Sequence, residues 1–286
     1  MPQPAGSSKR RLELGGGVIY NEARKMSLMP KATIAGLSLI CVIASLEAAD
    51  TKPIDATLLK RFEARFFTNA PGKILRYRLF KPAAYDPQTN YPLVLFLHGA
   101  AGLGDDNARQ FNGGNEVPPL ALTADDAQAR FPSFVLAPQC PRGSSWSGFG
   151  RQPSEMTAVT MAAFEALQRE FRIDASRIYV VGVSMGGHGV WDTVAKFPRT
   201  FAAAVPICAA SELGQAPKIA PLPVWSFHGA DDPLVNVSNA RKMIAALRKA
   251  GGQPRYTEYP GVGHDSYRNA FKEPDLLPWL FSQKRR

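Results

Sequence analysis

Short, unbroken apolar runs recur along the chain and predict strands that are buried on both faces. They span residues 93–97, 134–137, 178–183, 201–207 and 224–227, and a further strand-like segment covers 256–259. Within the first five runs, polar residues do not alternate with apolar ones, as they would in a strand with one face in water. Such runs are typical of a parallel sheet with helices on both sides.

Two earlier segments alternate imperfectly between apolar and polar residues. They cover residues 61–67 and 74–80, and Pro71 and Gly72 lie between them. Alternation with an intervening Pro-Gly pair predicts two antiparallel strands joined in a hairpin. One face of this hairpin is expected to be exposed to water.

Helical spacing occurs between the apolar runs. Ser154 is a good N-cap, and apolar residues follow it at intervals of three and four as far as Phe171. We expect a second helix to begin at or just after Ser184 and to end near Pro198, a third to cover 237–250, and a last one to cover 274–284. An antiparallel hairpin followed by alternating strands and helices predicts one doubly wound α/β domain over residues 50–286, with a mostly parallel sheet.

The N-terminal segment differs from the rest of the chain. Residues 32–46 form an uncharged apolar run that follows Lys31 and precedes the small residues Ala48 and Ala49. A basic start, a short apolar run and a small-residue exit are typical of a secretory signal peptide, whereas a membrane span needs about 20 apolar residues. We predict that residues 1–49 are a leader with a signal peptide at about 26–49, and that the mature protein is periplasmic or secreted. The alternative is an uncleaved N-terminal anchor.

The formal net charge of +10 does not indicate nucleic-acid binding, because the basic residues are scattered rather than gathered on one element. The expectation is a basic protein without stable membrane insertion once the signal peptide is removed. Two cysteines, Cys140 and Cys208, follow the predicted leader. Each is expected to follow a strand, and two strands separate them, so that they lie about 14 Å apart. Since this distance is too long for a disulfide, we predict free thiols.

The pentapeptide Gly182-Val183-Ser184-Met185-Gly186 has the pattern G-x-S-x-G. The pattern alone is a weak indicator, but here a buried-type strand precedes it and a helical segment follows it. This strand–turn–helix context is that of a nucleophile elbow, in which glycines permit a tight turn that exposes the Ser hydroxyl. Ser184 is therefore the candidate nucleophile, and the predicted architecture is the α/β-hydrolase fold.

A Ser hydroxyl becomes a good nucleophile only when a base takes its proton. In α/β-hydrolases the chain order is Ser, acid, His. His98 precedes Ser184, His188 lies on the helix of the elbow itself, and His228 comes before any convincing acid. His264, in the loop after the strand-like segment 256–259, is therefore the candidate base.

The acid is expected after the apolar run 224–227. Asp231 and Asp232 both qualify, and Glu212, after the preceding run, is a less favoured substitute. We favour Asp232, because hydrolases commonly place the acid three residues after the Gly of the His228-Gly229 pair and directly before a Pro. A buried carboxylate at this position would fix the tautomer of the imidazole and stabilise the imidazolium.

The developing oxyanion requires backbone N–H donors. Met185 supplies one by its position after the nucleophile, and Ala100, after His98 and Gly99, is expected to supply the other. His98 is interpreted as structural, and Trp146, in a loop rich in Gly and Ser, is expected to form a pocket wall for the substrate. The sequence has no metal-ligand cluster, phosphate loop or dinucleotide fingerprint, so no cofactor is expected.

From about Phe66 to its C-terminus, the chain resembles the single-domain carboxylesterases of the polyhydroxybutyrate depolymerase, feruloyl esterase and acetylxylan esterase group. Some relatives are labelled predicted peptidases, because they resemble the catalytic domain of prolyl oligopeptidases. The stretches that carry the resemblance are 97–99 with 104–107, 137–141, 182–192 with 197–198, 206–208 and 228–235. The resemblance implies a Ser184–Asp232–His264 triad and hydrolysis through an acyl-enzyme. Ala209 and Ala210 depart from it, since relatives often have glycines there, which implies a narrower pocket.

These features lead us to expect an exported serine carboxylesterase that acts on an acylated saccharide, a phenolic ester or a small polyester. A peptidase of the prolyl oligopeptidase type is the alternative. It is less favoured because such peptidases cover their site with a large β-propeller, and only about 40 residues lie between the predicted leader and the strand at Leu93. A non-catalytic binding protein on the same scaffold is a third possibility, disfavoured because all three triad positions are filled.

Overall fold

The computed structural model describes residues 54–147 and 154–285. The predicted leader, residues 1–49, and its signal peptide lie outside the described residues. Eight strands in the described part of the chain form one sheet with the order β1-β2-β4-β3-β5-β6-β7-β8. The strands are β1 Glu63–Thr68, β2 Ile74–Phe80, β3 Tyr91–Leu97, β4 Phe134–Gln139, β5 Ile173–Val183, β6 Ala203–Ile207, β7 Trp225–Gly229 and β8 Arg255–Tyr259.

The sheet is parallel from β4 to β8 and antiparallel at its other end. Strand β2 runs antiparallel to both β1 and β4, and the remaining neighbours pair in parallel. All residues of β3, β4, β6 and β7 are buried, as the apolar runs predicted. The predicted hairpin is confirmed, with Glu63 opposite Leu79 and Thr68 opposite Ile74.

Helices cover both faces of the sheet. They are α1 Ala56–Arg61, α2 Val117–Thr123, α3 Asp125–Arg130, α4 Glu155–Glu170, α5 Met185–Lys196, α6 Ala216–Ile219, α7 Ser238–Lys249, α8 Tyr267–Ala270 and α9 Leu276–Ser282. One apolar layer joins α4, α5, α6 and α7 to the sheet, and the other joins α1, α2, α8 and α9 to the opposite face. Successive residues of β3 enter opposite layers, with Leu95 in the first and Phe96 in the second. The predicted doubly wound α/β fold is confirmed.

Some predicted boundaries were wrong. Arg61 and Phe62, expected at the start of the first strand, end helix α1 instead, because the Asp55 side chain accepts the N–H groups of Thr57 and Leu58 and caps a helix there. Strand β5 begins at Ile173, five residues before the apolar run, since its first part is only partly buried and carries polar residues. The last helix is shorter than the predicted 274–284.

Both cysteines of the described chain are free and buried, as predicted. Cys140 follows β4 and Cys208 follows β6, with β3 and β5 between them. Burial raises the pKa of the Cys140 thiol to about 12, so this group stays protonated at neutral pH. Among the residues that the structure describes, no helix combines the length and the apolarity needed to cross a membrane.

Candidate active site

Ser184 occupies the sharp turn between β5 and α5. Its φ of 54° and ψ of −117° lie in a region that L-residues rarely adopt, and such a conformation costs on the order of 1–3 kcal/mol. The turn is held from the neighbouring strand, because the Ser184 N–H donates to the carbonyl of Ile207 at 3.0 Å. The buried strand and helix on either side thus keep the hydroxyl at the carboxyl edge of the sheet.

Close backbone packing explains the glycines around Ser184. A Cβ atom on Gly186 would overlap the carbonyl oxygen of Leu97, and one on Gly187 would lie 2.6 Å from the carbonyl oxygen of Ile207. Both obstacles are backbone atoms of central strands, which cannot turn away as a side chain can. The glycines therefore allow helix α5 to start directly against β3 and β6.

We expect Gly186→Ala to lower the free energy of unfolding by about 3 kcal/mol or more, because the new methyl group meets strand backbone. For a chain of this size the melting temperature should fall by roughly 6–12 °C. Thermal unfolding followed by circular dichroism measures the change. The matched control is Gly214→Ala, whose Cβ would meet nothing within 4 Å. Equal melting temperatures for the two variants would contradict this view of the elbow.

The structure brings Ser184, His264 and Asp232 into one hydrogen-bonded chain. The Ser184 hydroxyl lies 2.8 Å from Nε2 of His264. Nδ1 of the same imidazole lies 2.8 Å from Oδ2 of Asp232. Since a carboxylate only accepts hydrogen bonds, Nδ1 carries the ring proton and Nε2 is left to accept the Ser hydroxyl. This tautomer is the one that a general base requires.

Asp232 is a buried carboxylate with a full set of donors. Its Oδ1 accepts the N–H groups of Leu234 and Val235, both at 2.9 Å. Its Oδ2 accepts from His264, and Nε2 of His228 lies 3.3 Å away from the same atom. Burial alone would raise the pKa of Asp232, but the hydrogen bonds from His228 and His264 outweigh it and hold that pKa well below its usual value. Asp232 therefore stays ionised at neutral pH.

The other candidate acids lie elsewhere. Asp231 is exposed, and its N–H donates to the carbonyl of Val262, so the residue belongs to the turn that precedes Asp232. Glu212 is exposed after β6 and begins the short 3₁₀ turn Leu213–Gln215 as its cap. Of the acids that sequence reasoning considered, Asp232 is the one that the structure places in contact with His264.

The loop after β3 passes beside the nucleophile. A Cβ atom on Gly99 would lie 3.4 Å from Cβ of Ser184. The carbonyl of Gly99 accepts the N–H of Gly102 at 3.0 Å and lies 2.7 Å from Nδ1 of His98. The N–H of Ala100 is at the other end of this same peptide plane, so anchoring the carbonyl orients that N–H in the opposite direction.

Ala100 and Met185 each open a helical turn. Ala100 starts the 3₁₀ turn Ala100–Gly102, and Met185 starts α5. The first N–H groups of a helix have no acceptor within that helix. The amides of Ala100 and Met185 are therefore candidates to bind an oxyanion, and their assignment stays a prediction.

His98 is buried behind this loop rather than within reach of a substrate. Its Nε2 accepts the N–H of Cys140 at 2.9 Å, which places the ring proton on Nδ1, where it donates to the carbonyl of Gly99. Burial lowers the pKa of His98 to about 4, so the ring is neutral. Its contacts agree with a structural role.

Asn115 is a site residue that sequence reasoning missed. Its side chain is buried, and its Oδ1 accepts the N–H of Gly99 at 2.6 Å while its Nδ2 donates to the carbonyl of Asn112 at 2.6 Å. It therefore fixes the peptide that leads into the loop at Ala100. The residues around Asn115 in the sequence do not indicate this contact, because it joins residues that are 16 positions apart.

Trp146 does not line a pocket, contrary to the expectation from the sequence. Its side chain is 0 % exposed, and its indole N–H donates to the carbonyl of His98 at 2.9 Å. Its ring also packs against the imidazole of His98, with centroids 5.1 Å apart. Trp146 is therefore a core residue, which packs in the apolar layer that contains α4, α5, α6 and α7.

His188, four residues after Ser184, faces the loop that follows β6. Its Nδ1 lies 3.4 Å from the N–H of Ala210. Burial, together with the nearby imidazoles of His264 and His228, lowers the pKa of His188 to about 4. The ring is therefore neutral at pH 7, and it is a weaker base than an ordinary imidazole.

An open recess of about 420 Å³ lies between α2 and the segment that follows α8. Its floor is apolar, and two cationic side chains border it. The lining residues are Val117, Leu120, Ala121, Arg268, Phe271 and Lys272. Within the two described ranges, no group of three or more His, Cys, Asp or Glu side chains is arranged to hold a metal ion.

A solved structure of a thermostable esterase is similar to this chain. The TM-score is 0.76 and the sequences are 37% identical, over 80% of this chain and 64% of that one. The chain has the α/β-hydrolase fold. The family model of the dienelactone hydrolase family matches residues 143–274 of this chain, a range that includes Ser184, Asp232 and His264.

Two further proteins are similar to this chain. A secreted protein of Arthroderma benhamiae is 24% identical over 264 residues, which cover 74% of this chain and 27% of that protein. A bifunctional acetylxylan esterase/xylanase of Neocallimastix patriciarum is 28% identical over 160 residues, which cover 56% of this chain and 22% of that protein. The chain thus spans about a quarter of the length of these two relatives. The similarity to esterases agrees with the resemblance seen in the sequence.

Proposed function

We propose that the protein is a serine carboxylesterase that hydrolyses carboxylic esters through an acyl-enzyme on Ser184. The observation that carries the proposal is the unbroken chain of hydrogen bonds from Ser184 through His264 to Asp232, with 2.8 Å at each step. Such a chain activates a hydroxyl that is otherwise a poor nucleophile. The esterase class of the similar structure supports the choice of bond to be cleaved.

In the acylation step, Nε2 of His264 takes the proton of Ser184 while Oγ attacks the carbonyl carbon of the ester. The carbonyl oxygen becomes an oxyanion, which the N–H groups of Ala100 and Met185 stabilise in this proposal. Asp232 stabilises the imidazolium without accepting its proton. The tetrahedral intermediate then collapses, and the C–O bond to the alcohol breaks as His264 returns the proton to the leaving oxygen.

In the deacylation step, a water molecule takes the place of the alcohol. His264 removes one proton from the water as its oxygen attacks the acyl carbon. When the second intermediate collapses, the bond to Oγ of Ser184 breaks and Oγ recovers a proton from His264. The carboxylic acid leaves, and each group returns to its starting protonation state.

The substrate classes that we propose are an acylated saccharide, a phenolic ester or a small polyester. The similarity to an acetylxylan esterase/xylanase supports the first of these. Export to the periplasm or the medium fits the signal-peptide pattern of residues 26–49 and the secreted relative. No cofactor takes part in the proposed reaction, and neither a nucleic acid nor a membrane is required as a partner.

Paired assays of the purified protein test the proposal. The protein is expected to hydrolyse p-nitrophenyl acetate and to leave a dipeptidyl anilide intact, and Ser184→Ala is expected to abolish the first activity. The alternative, a peptidase of the prolyl oligopeptidase type, would give the opposite preference. Ester hydrolysis that persists unchanged in Ser184→Ala would contradict the proposed nucleophile.

A further inference from the structure

We propose that His228 is a positioning residue of the active site, which acts through the carboxylate of Asp232. The inference rests on the proposed function, since Asp232 matters to catalysis only if His264 is the base. His228 lies at the end of β7, four residues before Asp232, and is fully buried. Its position in the sequence, before any convincing acid, did not point to a role.

Two oxygen atoms define the protonation of the His228 ring. Nε2 lies 2.8 Å from the carbonyl oxygen of Val235 and 3.3 Å from Oδ2 of Asp232. Both oxygens can only accept hydrogen bonds, so Nε2 must carry a proton. Nδ1 is buried and has no hydrogen-bond partner within the described residues. A second proton on Nδ1 would bury a cation with an unsatisfied N–H, so the ring is a neutral Nε2–H tautomer.

This single N–H serves both ends of the loop that carries the acid. It donates to the carbonyl of Val235 at 2.8 Å, and it lies 3.3 Å from Oδ2, the same atom that accepts from His264. Val235 in turn donates its own N–H to Oδ1 of Asp232 at 2.9 Å. The carboxylate is therefore fixed at both oxygens, and its rotation about the bond to Cβ is blocked.

The second donor also moderates the charge on Asp232. The His228 N–H lies 3.3 Å from Oδ2 and stabilises the negative charge of the carboxylate. Without this N–H the carboxylate should attract an imidazolium more strongly, so we expect the acid limb of the pH–rate profile to shift to higher pH.

Other ionisable groups face His228 from the neighbouring elements. They are Asp232 and His264 in the two loops, His188 on α5, and Glu258, which is the register partner of His228 on β8. Arg241 forms two hydrogen bonds to Glu258, at 2.9 and 2.6 Å, and keeps that carboxylate ionised. Of these groups, Asp232 is the one whose carboxylate oxygen lies 3.3 Å from Nε2 of His228, so the effect of a substitution should pass through it.

Two substitutions distinguish the effect of the His228 N–H from the effect of the volume of its ring. His228→Leu replaces the imidazole by an apolar side chain of similar volume and so removes the N–H. We expect kcat/KM for p-nitrophenyl acetate to fall about tenfold to a hundredfold, mainly in kcat, since the acid and base lose their alignment. The acid limb should move up by about half a pH unit. His228→Gln places an amide N–H at the position of Nε2 and should lie within about fivefold of the wild type, with its acid limb unchanged.

Val224→Ala is the control for a purely structural effect. Val224 directly precedes β7 and is buried, so its truncation should lower the melting temperature without touching Asp232. The acid limb of Val224→Ala should coincide with that of the wild type. The positioning role is wrong if His228→Leu loses activity only in proportion to its folded fraction. It is also wrong if the acid limb of the pH–rate profile lies at the same pH in His228→Leu and Val224→Ala. Equal losses in the Leu and Gln variants would also overturn it.

The ¹H NMR spectrum tests the positioning role of His228 without any substrate. The proton between Nδ1 of His264 and Oδ2 of Asp232 should give a far-downfield ¹H resonance, which disappears in His264→Ala. In His228→Leu this resonance should move further downfield, because Oδ2 has lost its second donor, whereas it should stay in place in His228→Gln and Val224→Ala. An unchanged resonance in His228→Leu would overturn the inference. Since this measurement needs no substrate, absence of esterase activity in the wild type would contradict the proposed function and leave the test of His228 intact.

Discussion

Ser184→Ala is expected to lower kcat for ester hydrolysis by about 10⁶-fold, to a floor set by substrate binding and by the oxyanion donors. The physical reason is that Oγ bonds to the acyl group in the proposed mechanism, and within the described residues no other hydroxyl forms a hydrogen bond to Nε2 of His264. KM should change little, because the methyl group of alanine leaves the remaining pocket intact. Steady-state kinetics with p-nitrophenyl acetate measures the loss.

His264→Ala should reach about the same floor, and the double variant should not fall below it. Nucleophile and base act on one proton, so removing either leaves the other without a function. Ser282→Ala, at the exposed end of the last helix, controls for the exchange of a serine at a site without a proposed role. A double variant whose loss is the product of the two single losses would show that Ser184 and His264 contribute independently, which contradicts the triad.

The second large effect is expected at the acid, where Asp232→Asn should lower kcat by about 10⁴-fold. The direction follows from the donors around the carboxylate. The N–H groups of Leu234 and Val235 both point at Oδ1, so the amide oxygen of the new Asn must take that place. Its NH₂ group is then left facing Nδ1 of His264.

An NH₂ group facing Nδ1 reverses the tautomer of the base. It donates to Nδ1, so the ring proton moves to Nε2, where it faces the hydroxyl of Ser184. In this tautomer His264 cannot accept the proton of the nucleophile, although the geometry of the site is kept. The amide also confronts the N–H of His228, which adds a donor-to-donor conflict.

Asp231→Asn is the matched control for this experiment. It makes the same chemical change at the adjacent, exposed carboxylate, and kcat should stay within about twofold of the wild type. The pair of variants also separates the two acids that the sequence left in competition. If Asp232→Asn retained more than about a tenth of the wild-type kcat while Asp231→Asn lost activity, the assignment of the acid would be wrong.

The sheet could be predicted from the sequence because its central strands are buried on both faces and leave unbroken apolar runs. The runs at 93–97 and 134–137 became β3 and β4 with only small extensions. Helices with a clear N-cap were also readable, as at Ser154, whose hydroxyl accepts the N–H of Thr157. The short helices α2 and α3 were missed, since α2 contains two prolines and α3 is too short to show a period.

The site was readable where chemistry restricts the residue type and the position in the chain. Ser184 and His264 follow from the elbow pattern and from the order of nucleophile, acid and base. The structure places Oγ of Ser184 2.8 Å from Nε2 of His264. Asn115, His228 and Trp146 act through contacts between residues distant in sequence or through burial, neither of which leaves a local pattern. Trp146 was misplaced for this reason, because a loop rich in Gly and Ser gives no sign that its Trp turns into the core.

Covalent labelling with a fluorophosphonate probe tests the activated nucleophile most directly. The wild-type protein should take up one equivalent of probe, and peptide mass spectrometry should locate it on Ser184. Ser184→Ala should remain unlabelled, and His264→Ala should react far more slowly, since its hydroxyl lacks a base. A wild-type protein that does not react, or a probe found on another residue while Ser184 stays free, would contradict the assignment of Ser184 as the nucleophile.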